Sequence, residues 1–185
     1  MDAVIERHRL ACAGFDRTLA SAAEKATWDA PSPCTEWDAR GVVEHVIGFQ
    51  DTLLVSQLGV DAQRPRDDPQ ARWLATEEAI FSALGKEGTL DKVVDVPGMG
   101  QSPVNRLLPT LTTDVLIHTW DLARAVGVDD ALDPELCRLA YERALPFDEV
   151  LRSSGMFGAK VAMPEDADLQ TKLVAFFGRD PDWRA

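Results

Sequence analysis

The stretch Asp114-Val-Leu-Ile-His118-Thr-Trp-Asp121-Leu-Ala-Arg124 decides both the fold of this chain and the position of its candidate site. Read as a helix, it puts Asp114, His118 and Asp121 on one stripe, at steps of four and three residues. The same stripe carries four apolar residues, Leu107, Leu111, Leu122 and Ala125. The three polar side chains are therefore expected to point toward a core.

The pair Asp114 and His118 has the spacing of two metal ligands on one helix. A carboxylate and an imidazole one turn apart have Cβ atoms roughly 5–6 Å apart. Both side chains can then reach one ion, because metal bonds to nitrogen or oxygen are about 2.0–2.2 Å long. This is the carboxylate version of the paired histidines found at positions i and i+4 in zinc sites. At least a third ligand must come from elsewhere in the chain.

Composition and charge narrow the class of protein. The chain has 185 residues, of which 45% are hydrophobic, so it is expected to be globular. Its formal charge of −12 argues against nucleic acid and anionic membrane surfaces as partners. The N-terminal segment is too charged for a secretory signal, and no apolar run is long enough to span a membrane. Three cysteines without a Cys-x-x-Cys spacing favour a reducing, cytoplasmic setting.

Hydrophobic periodicity predicts an all-α protein. The expected helices cover about residues 2–26, 38–58, 69–84, 102–127, 133–152 and 166–177. Asp38 is expected to cap the second helix, and Asp68-Pro69, Ser102-Pro103 and Asp133-Pro134 to start the later ones. Pro109 predicts a kink or a broken first turn. Residues 1–130 should form a helix bundle that holds the site, with C-terminal helices of residues 131–185 packed on it.

All three histidines fall on apolar stripes, where a core histidine with satisfied hydrogen bonds is the common case. His45 lies early on a long helix that should pack beside the helix of His118, so it is the third candidate ligand. His8 is expected to lie outside the site, because it should be about 17 Å from His45 along the bundle at about 1.5 Å per residue. Cys34 is either a thiolate ligand, a reactive thiol or a small buried residue in a proline-rich turn. The tryptophans are interpreted as packing residues.

Two further side-chain roles follow from position. Asp121 lies one turn past His118 and is expected to stand behind the ligands, where it holds an imidazole or positions an incoming molecule. As an alternative it is an ion-pair residue for Arg124 or Arg17. The glycines of the loop of residues 97–102 allow close approach, so this loop could line the entrance of the site.

Several of these residues occur together in a known family. Pro31-Ser-Pro-Cys34-Thr-Glu-Trp37, His45 and the stretch from Asp114 to Arg124 resemble the metal-binding domain of the mycothiol-dependent maleylpyruvate isomerases. The closing Gly178-Arg179-Asp-Pro-Asp-Trp183 resembles the end of small uncharacterised members of that group. The resemblance implies a four-helix bundle of the DinB/YfiT type, with a short helical extension at the C-terminus.

The resemblance also implies a cofactor and a ligand set. Members bind a divalent metal, zinc or nickel, and by their pattern the ligands here are His45, Asp114 and His118. The isomerase has glutamate where Asp114 stands, and it carries a larger C-terminal domain. The resemblance therefore implies that this chain binds a metal and a thiol of the mycothiol type. It gives less support to maleylpyruvate as the substrate.

The expected function is that of a thiol-dependent metalloenzyme. Three protein ligands leave a coordination position open, as in catalytic zinc sites. A small-molecule thiol would attack a small electrophile there, in an isomerisation or a transfer. The alternatives are a metal-hydroxide hydrolase and a non-catalytic bundle that binds metal or senses a ligand, and a homodimer is possible.

Overall fold

The computed structural model describes residues 2–62, 64–97, 100–153 and 158–185. Its α-helices are α1 (Ala3–Lys25), α2 (Ala39–Gln50), α3 (Pro69–Leu84), α4 (Val104–Val126), α5 (Pro134–Ala144), α6 (Asp148–Ser153) and α7 (Leu169–Phe176). Two short antiparallel strands, β1 (Val93–Val96) and β2 (Gly100–Pro103), form a hairpin before α4. The predicted all-α fold with a C-terminal helical extension is confirmed. None of the described helices combines the length and apolar character needed to cross a membrane.

Aspartate side chains cap most of the described α-helices, and three of these caps, Asp38, Asp68 and Asp133, were predicted from the sequence. In each case the carboxylate accepts a hydrogen bond from a backbone N–H of the first turn, which has no partner inside the helix. These caps are Asp2, Asp38, Asp68, Asp133 and Asp168. Proline follows the cap in α3 and α5, where its missing N–H costs nothing.

The start of α4 differs from the prediction. Ser102 lies on β2 instead of capping the helix, Pro103 occupies the N-cap position instead of the first helical position, and α4 begins at Val104. Residues 100–103 are extended because they form the antiparallel partner of β1, with Val93 opposite Pro103. Pro109 lies inside α4 without breaking it. Pro109 lies near the N-terminal end of α4, and its missing N–H removes only one backbone hydrogen bond from the helix.

Two predicted helices are interrupted. The helix expected over residues 133–152 ends at Ala144, and a 3₁₀ turn at Leu145–Phe147 separates it from α6. Pro146 explains the break, because its ring clashes with the preceding turn and it lacks an N–H donor. The second helix, expected to reach about residue 58, is α-helical only to Gln50 and continues as a π-helical turn at Asp51–Val55.

Helices α1 to α4 pack around a common core. The most extensive contact joins α1 to α4, and α2 lies against both α3 and α4. The C-terminal helices share this core, since Leu136 and Leu173 belong to the same buried cluster as Phe15 and Trp120. The division of the chain at residue 130 into a bundle and a C-terminal part remains a prediction. The pairing of α2 with α4 is what brings the candidate site together.

Candidate metal centre

The three predicted ligands converge between α2 and α4. Nε2 of His45 lies 3.1 Å from Oδ1 of Asp114, and Nε2 of His118 lies 3.5 Å from the same oxygen. One donor atom from each residue lies within 4.8 Å of the other two. Donors around a tetrahedral ion with bonds of about 2.1 Å are about 3.4 Å apart, so the observed spacing suits a shared ion.

The second oxygen of Asp114 offers a test of whether a cation fits. Oδ2 is buried and has no hydrogen-bond partner among the described residues. A buried charged oxygen without a partner is costly, and a bound cation would remove that cost. Two imidazoles and one carboxylate are also a donor set that zinc and nickel accept. The residues therefore fit a divalent ion of this kind.

Asp114 and His118 form an ion pair. Burial alone would raise the pKa of Asp114, but the charge of His118 and hydrogen bonds from both histidines lower it below its ordinary value. Burial would likewise lower the pKa of His118. The negative charge of Asp114, together with close contacts from the ring to the acceptor atoms of Asp114, Asp121 and Cys34, raises the pKa of His118 well above its ordinary value. The interior of the bundle thus already accommodates one positive charge beside Asp114.

Asp121 lies on the other side of the His118 ring. Its Oδ2 is 2.8 Å from Nδ1 of His118, although the contact is too bent to count as a hydrogen bond. The side chain is fully buried, and Arg179 is its ion-pair partner at 2.8 Å. Burial would raise the pKa of Asp121, but the charge of Arg179 and the contacts with His118 hold it well below the ordinary value.

The alternative partners considered for Asp121 are wrong. Arg124 pairs instead with Asp130, at 2.5 Å. Arg17 lies on α1, and no ion pair or hydrogen bond among the described residues joins it to Asp121. Arg179 stands 58 positions further along the chain than Asp121. Such a separation leaves no local spacing signal from which the pair could have been predicted.

A second group of possible donors shares His118 with the first. Cys34 Sγ, His118 and Asp121 also offer one donor atom each within 4.8 Å of one another. Arg179 already occupies this side: its Nη2 lies 2.9 Å from Cys34 Sγ and 2.8 Å from Asp121 Oδ2. A metal ion placed there would be repelled by the guanidinium at close range. The first group is therefore the better metal candidate.

The proline-rich loop before α2 covers the site with an aromatic ring. Ser32 Oγ lies 2.7 Å from the carbonyl oxygen of Trp37 and fixes the turn. The Trp37 indole stacks on the His45 ring, with centroids 4.3 Å apart and planes at 25°. Gly41 makes this approach possible, since a Cβ there would meet Trp37 Cβ at 2.9 Å. Trp37 thus does more than the general packing expected from the sequence.

The site is open on the His45 side. The side chain of His45 is 26% exposed, against 13% for Asp114 and 6% for His118. Two clefts, with volumes of about 220 and 420 Å³, lie along α1 and α4, and among the described residues none of the three donors lines them. A small molecule would therefore reach the donors past His45 rather than through either cleft.

The loop of residues 97–102 lies away from the donors where it is described. Its residues 100–102 belong to the hairpin beside the start of α4, about 15 Å along the helix from Asp114 at 1.5 Å per residue. Gly98 and Met99 lie outside the described residues. The described part of the loop therefore does not line the opening at His45.

His8 takes no part in either donor group. Its ring is fully buried, and Nδ1 lies 3.1 Å from Thr112 Oγ1. Burial, the largest influence, lowers its pKa to about 4, so the ring is neutral at pH 7. His8 is a core residue, in keeping with its expected place outside the site.

Comparison with known proteins gives one family. The model of the mycothiol maleylpyruvate isomerase N-terminal domain matches residues 8–123, a range that includes all three candidate ligands. Two uncharacterised proteins of Mycobacterium tuberculosis, from strains CDC 1551 and H37Rv, are each 32% identical over 157 residues. These alignments cover 80% of this chain and 83% of each relative. No solved structure matches the chain.

Proposed function

Because the chain belongs to the family of the mycothiol maleylpyruvate isomerase N-terminal domain, we propose that it is a metal- and thiol-dependent enzyme. His45, Asp114 and His118 hold one divalent ion, zinc or nickel. The thiol is a small molecule of the mycothiol type, and the substrate is a small electrophile that is isomerised or conjugated. The family supports the choice of thiol, and the donor set supports the metal.

The observation that carries this proposal is the convergence of three donors on one buried carboxylate. Oδ1 of Asp114 faces both imidazoles, while Oδ2 is buried without a partner among the described residues. An unsatisfied buried polar atom costs about 1–3 kcal/mol. A group of residues that served stability alone would gain nothing to offset that cost, whereas a bound cation offsets it directly.

The number and the exposure of the ligands favour catalysis over a structural role. Three protein ligands leave a coordination position for a further molecule, while structural zinc sites are closed by four. The partial exposure of His45 gives that molecule a route of approach. Asp114 supplies one negative charge and the neutral imidazoles none, so a divalent ion keeps a charge of about +1, which favours an anionic sulfur.

The ion, when bound, supplies a Lewis acid that lowers the pKa of a thiol from its free value of about 8.5, so that it reacts at neutral pH. The chain's own side chains prepare this centre. The negative charge of Asp121, 2.8 Å from Nδ1 of His118, favours a proton on that nitrogen, so Nε2 would be the nitrogen that binds the ion. Trp37 stacks on the His45 ring and restricts its rotation.

Metal analysis of the purified protein followed by thiol titration tests the proposal. One divalent ion per chain is expected. After exchange for cobalt, addition of mycothiol or another small thiol should produce a sulfur-to-metal charge-transfer band in the near ultraviolet. A protein that binds the ion but shows no band with any thiol would instead be a hydrolase or a non-catalytic metal-binding bundle.

Substitution of one ligand gives the matched control. His118→Ala should abolish the thiol-dependent band, because it removes a donor from the ion. His8→Gln changes another fully buried histidine outside the donor groups, and the band should persist in that variant. Loss of the band in both variants would indicate damage to the fold rather than to the site.

A further inference from the structure

Arg179 binds the buried face of the site from the far end of the chain. Its Nε lies 3.2 Å from Oδ1 of Asp121, and its Nη2 lies 2.8 Å from Oδ2. The guanidinium therefore donates two hydrogen bonds to the carboxylate in a bidentate arrangement. Nη2 also lies 2.9 Å from Cys34 Sγ, and Nη1 donates to the carbonyl of Phe177. This fork geometry fixes the orientation of a carboxylate as a single ammonium cannot.

The backbone around Arg179 is set by the end of α7. Gly178 has a left-handed conformation with φ of 82°, and its N–H donates to Ala175. The N–H of Arg179 donates back to Val174, which completes a Schellman motif. A Cβ on Gly178 would approach the Ala159 carbonyl oxygen to 3.1 Å, so glycine is required there on two grounds. The turn aims the Arg179 side chain back at α4.

The geometry points to Arg179 as a positioning residue of the metal centre, acting through Asp121 on the orientation of the His118 ring. This inference rests on the proposed function, since it assigns His118 to a metal ion. The family match ends at residue 123, so Arg179 comes from a part of the chain beyond the matched domain. The C-terminal extension thereby completes the site that the bundle begins.

Arg179 is connected to His118 through Asp121, which contacts both side chains. Asp121 is fully buried and needs a cation to stay ionised and in place. Its Oδ2, held by Arg179, faces Nδ1 of His118 and so determines which way Nε2 points. Without the guanidinium the carboxylate can rotate, and the ring loses its fixed direction. Outer partners of this kind change metal affinity by about 10–100-fold when they are removed.

Arg179→Ala is the principal test, with metal affinity measured by competition against a chromophoric chelator. The ion is expected to bind about 10–100-fold more weakly. Arg179→Lys should restore only part of the affinity, because lysine keeps the charge and loses the fork. Arg152→Ala is the matched control: Arg152 also ties down the C-terminal segment, through the carbonyls of Gly158 and Phe176, without touching the site.

A double variant separates positioning from general stability. If Arg179 acts through Asp121, then Arg179→Ala should weaken metal binding little further once Asp121→Asn is present. Wild-type affinity in Arg179→Ala, or an equal loss in Arg152→Ala, would overturn the inference.

A readout without metal keeps the two proposals distinct. Nitrogen-15 spectra of the His118 ring in metal-depleted protein should change in Arg179→Ala and stay unchanged in Arg152→Ala. Unchanged ring signals in both variants would overturn the role of Arg179. A wild-type protein that binds no metal would overturn the proposed function, while the ring spectra would still decide whether Arg179 orients His118.

Discussion

The two nitrogens of His118 face two different polar environments. On the Nε2 side lie Asp114 and His45, partly exposed, with one carboxylate oxygen left without a partner among the described residues. On the Nδ1 side lie Asp121 and Cys34, with Arg179 already bound to both. Each side offers three donor atoms within 4.8 Å of one another. Among the described residues, the Nδ1 side contains a permanent cation, Arg179, whereas the cation beside Asp114 is the His118 imidazolium, which can lose its proton.

The difference shows that donor type and spacing alone do not identify a metal site. By ligand chemistry the Nδ1 side is at least as good, since a thiol binds zinc well. Its charge is already balanced, because Arg179 neutralises Asp121. On the Nε2 side the Asp114 carboxylate faces only ionisable imidazoles. On the Nε2 side an external cation can replace the proton of His118, whereas on the Nδ1 side it would face the permanent charge of Arg179.

Removal of the Asp114 charge should have the largest effect. Asp114→Asn deletes the only formal negative charge of the donor group and should weaken metal binding by more than about 100-fold, beyond the usual effect of outer partners. Isothermal titration with zinc measures this. Asp51→Asn is the control, since Asp51 also pairs with a cationic side chain, Arg64 at 2.6 Å, but lies outside the donor group. Comparable affinity in the Asp114 variant and wild type would place the ion elsewhere.

Removal of the Asp121 charge should have the next largest effect. Asp121→Asn should keep the fold and loosen the metal by about 10–100-fold, since the His118 ring loses its charged partner. The free energy of unfolding should fall by about 1–3 kcal/mol, because asparagine keeps one oxygen acceptor for Arg179 but the charged hydrogen bonds are lost.

Asp130→Asn controls for the loss of an ion pair near the end of α4, because Asp130 binds Arg124. It should lower stability without changing metal affinity. If the two variants bound zinc equally well, Asp121 would be a partner of Arg179 for stability only.

The residues on the Nε2 side of His118 could be predicted from the sequence, whereas Arg179 on the Nδ1 side could not, for a physical reason. Asp114 and His118 share a helix, and helix geometry fixes their spacing. His45 follows from the expected packing of two amphipathic helices. Arg179 reaches Asp121 only through the fold of the C-terminal extension, which no periodicity specifies. The incorrect helix predictions also have physical causes. Residues 100–103 pair with the strand Val93–Val96 instead of starting a helix, and Pro146 interrupts the helix predicted over residues 133–152.

Displacement of the Trp37 indole from the His45 ring should have a smaller effect on metal affinity than removal of either carboxylate charge. Gly41→Ala places a Cβ at 2.9 Å from Trp37 Cβ and should push the indole off the His45 ring. The strain should cost about 1–3 kcal/mol of unfolding free energy, with a change in tryptophan fluorescence and a modest loss of metal affinity.

Gly48→Ala provides the matched control on the same helix. A Cβ at Gly48 meets nothing within 4 Å, so alanine should stabilise α2 by about 0.5–1 kcal/mol. Denaturant unfolding of both variants should therefore give shifts of opposite sign. If Gly41→Ala also stabilised the protein, Trp37 would not be held against α2 as the structure indicates.

Replacement of Cys34 should have the smallest effect on metal binding. Because Arg179 already lies against Cys34 and Asp121, we expect no ion on this side, and the thiol is not a ligand. Cys34→Ser keeps a polar atom for Arg179 and should leave one ion per chain, with affinity within about threefold of wild type, well below the loss of an outer partner. Cobalt reports the ligand directly: without added thiol, the wild-type spectrum should contain no sulfur-to-metal band. A band that is present before thiol addition and vanishes in Cys34→Ser would move the ion to the Nδ1 side of His118 and make Arg179 its competitor.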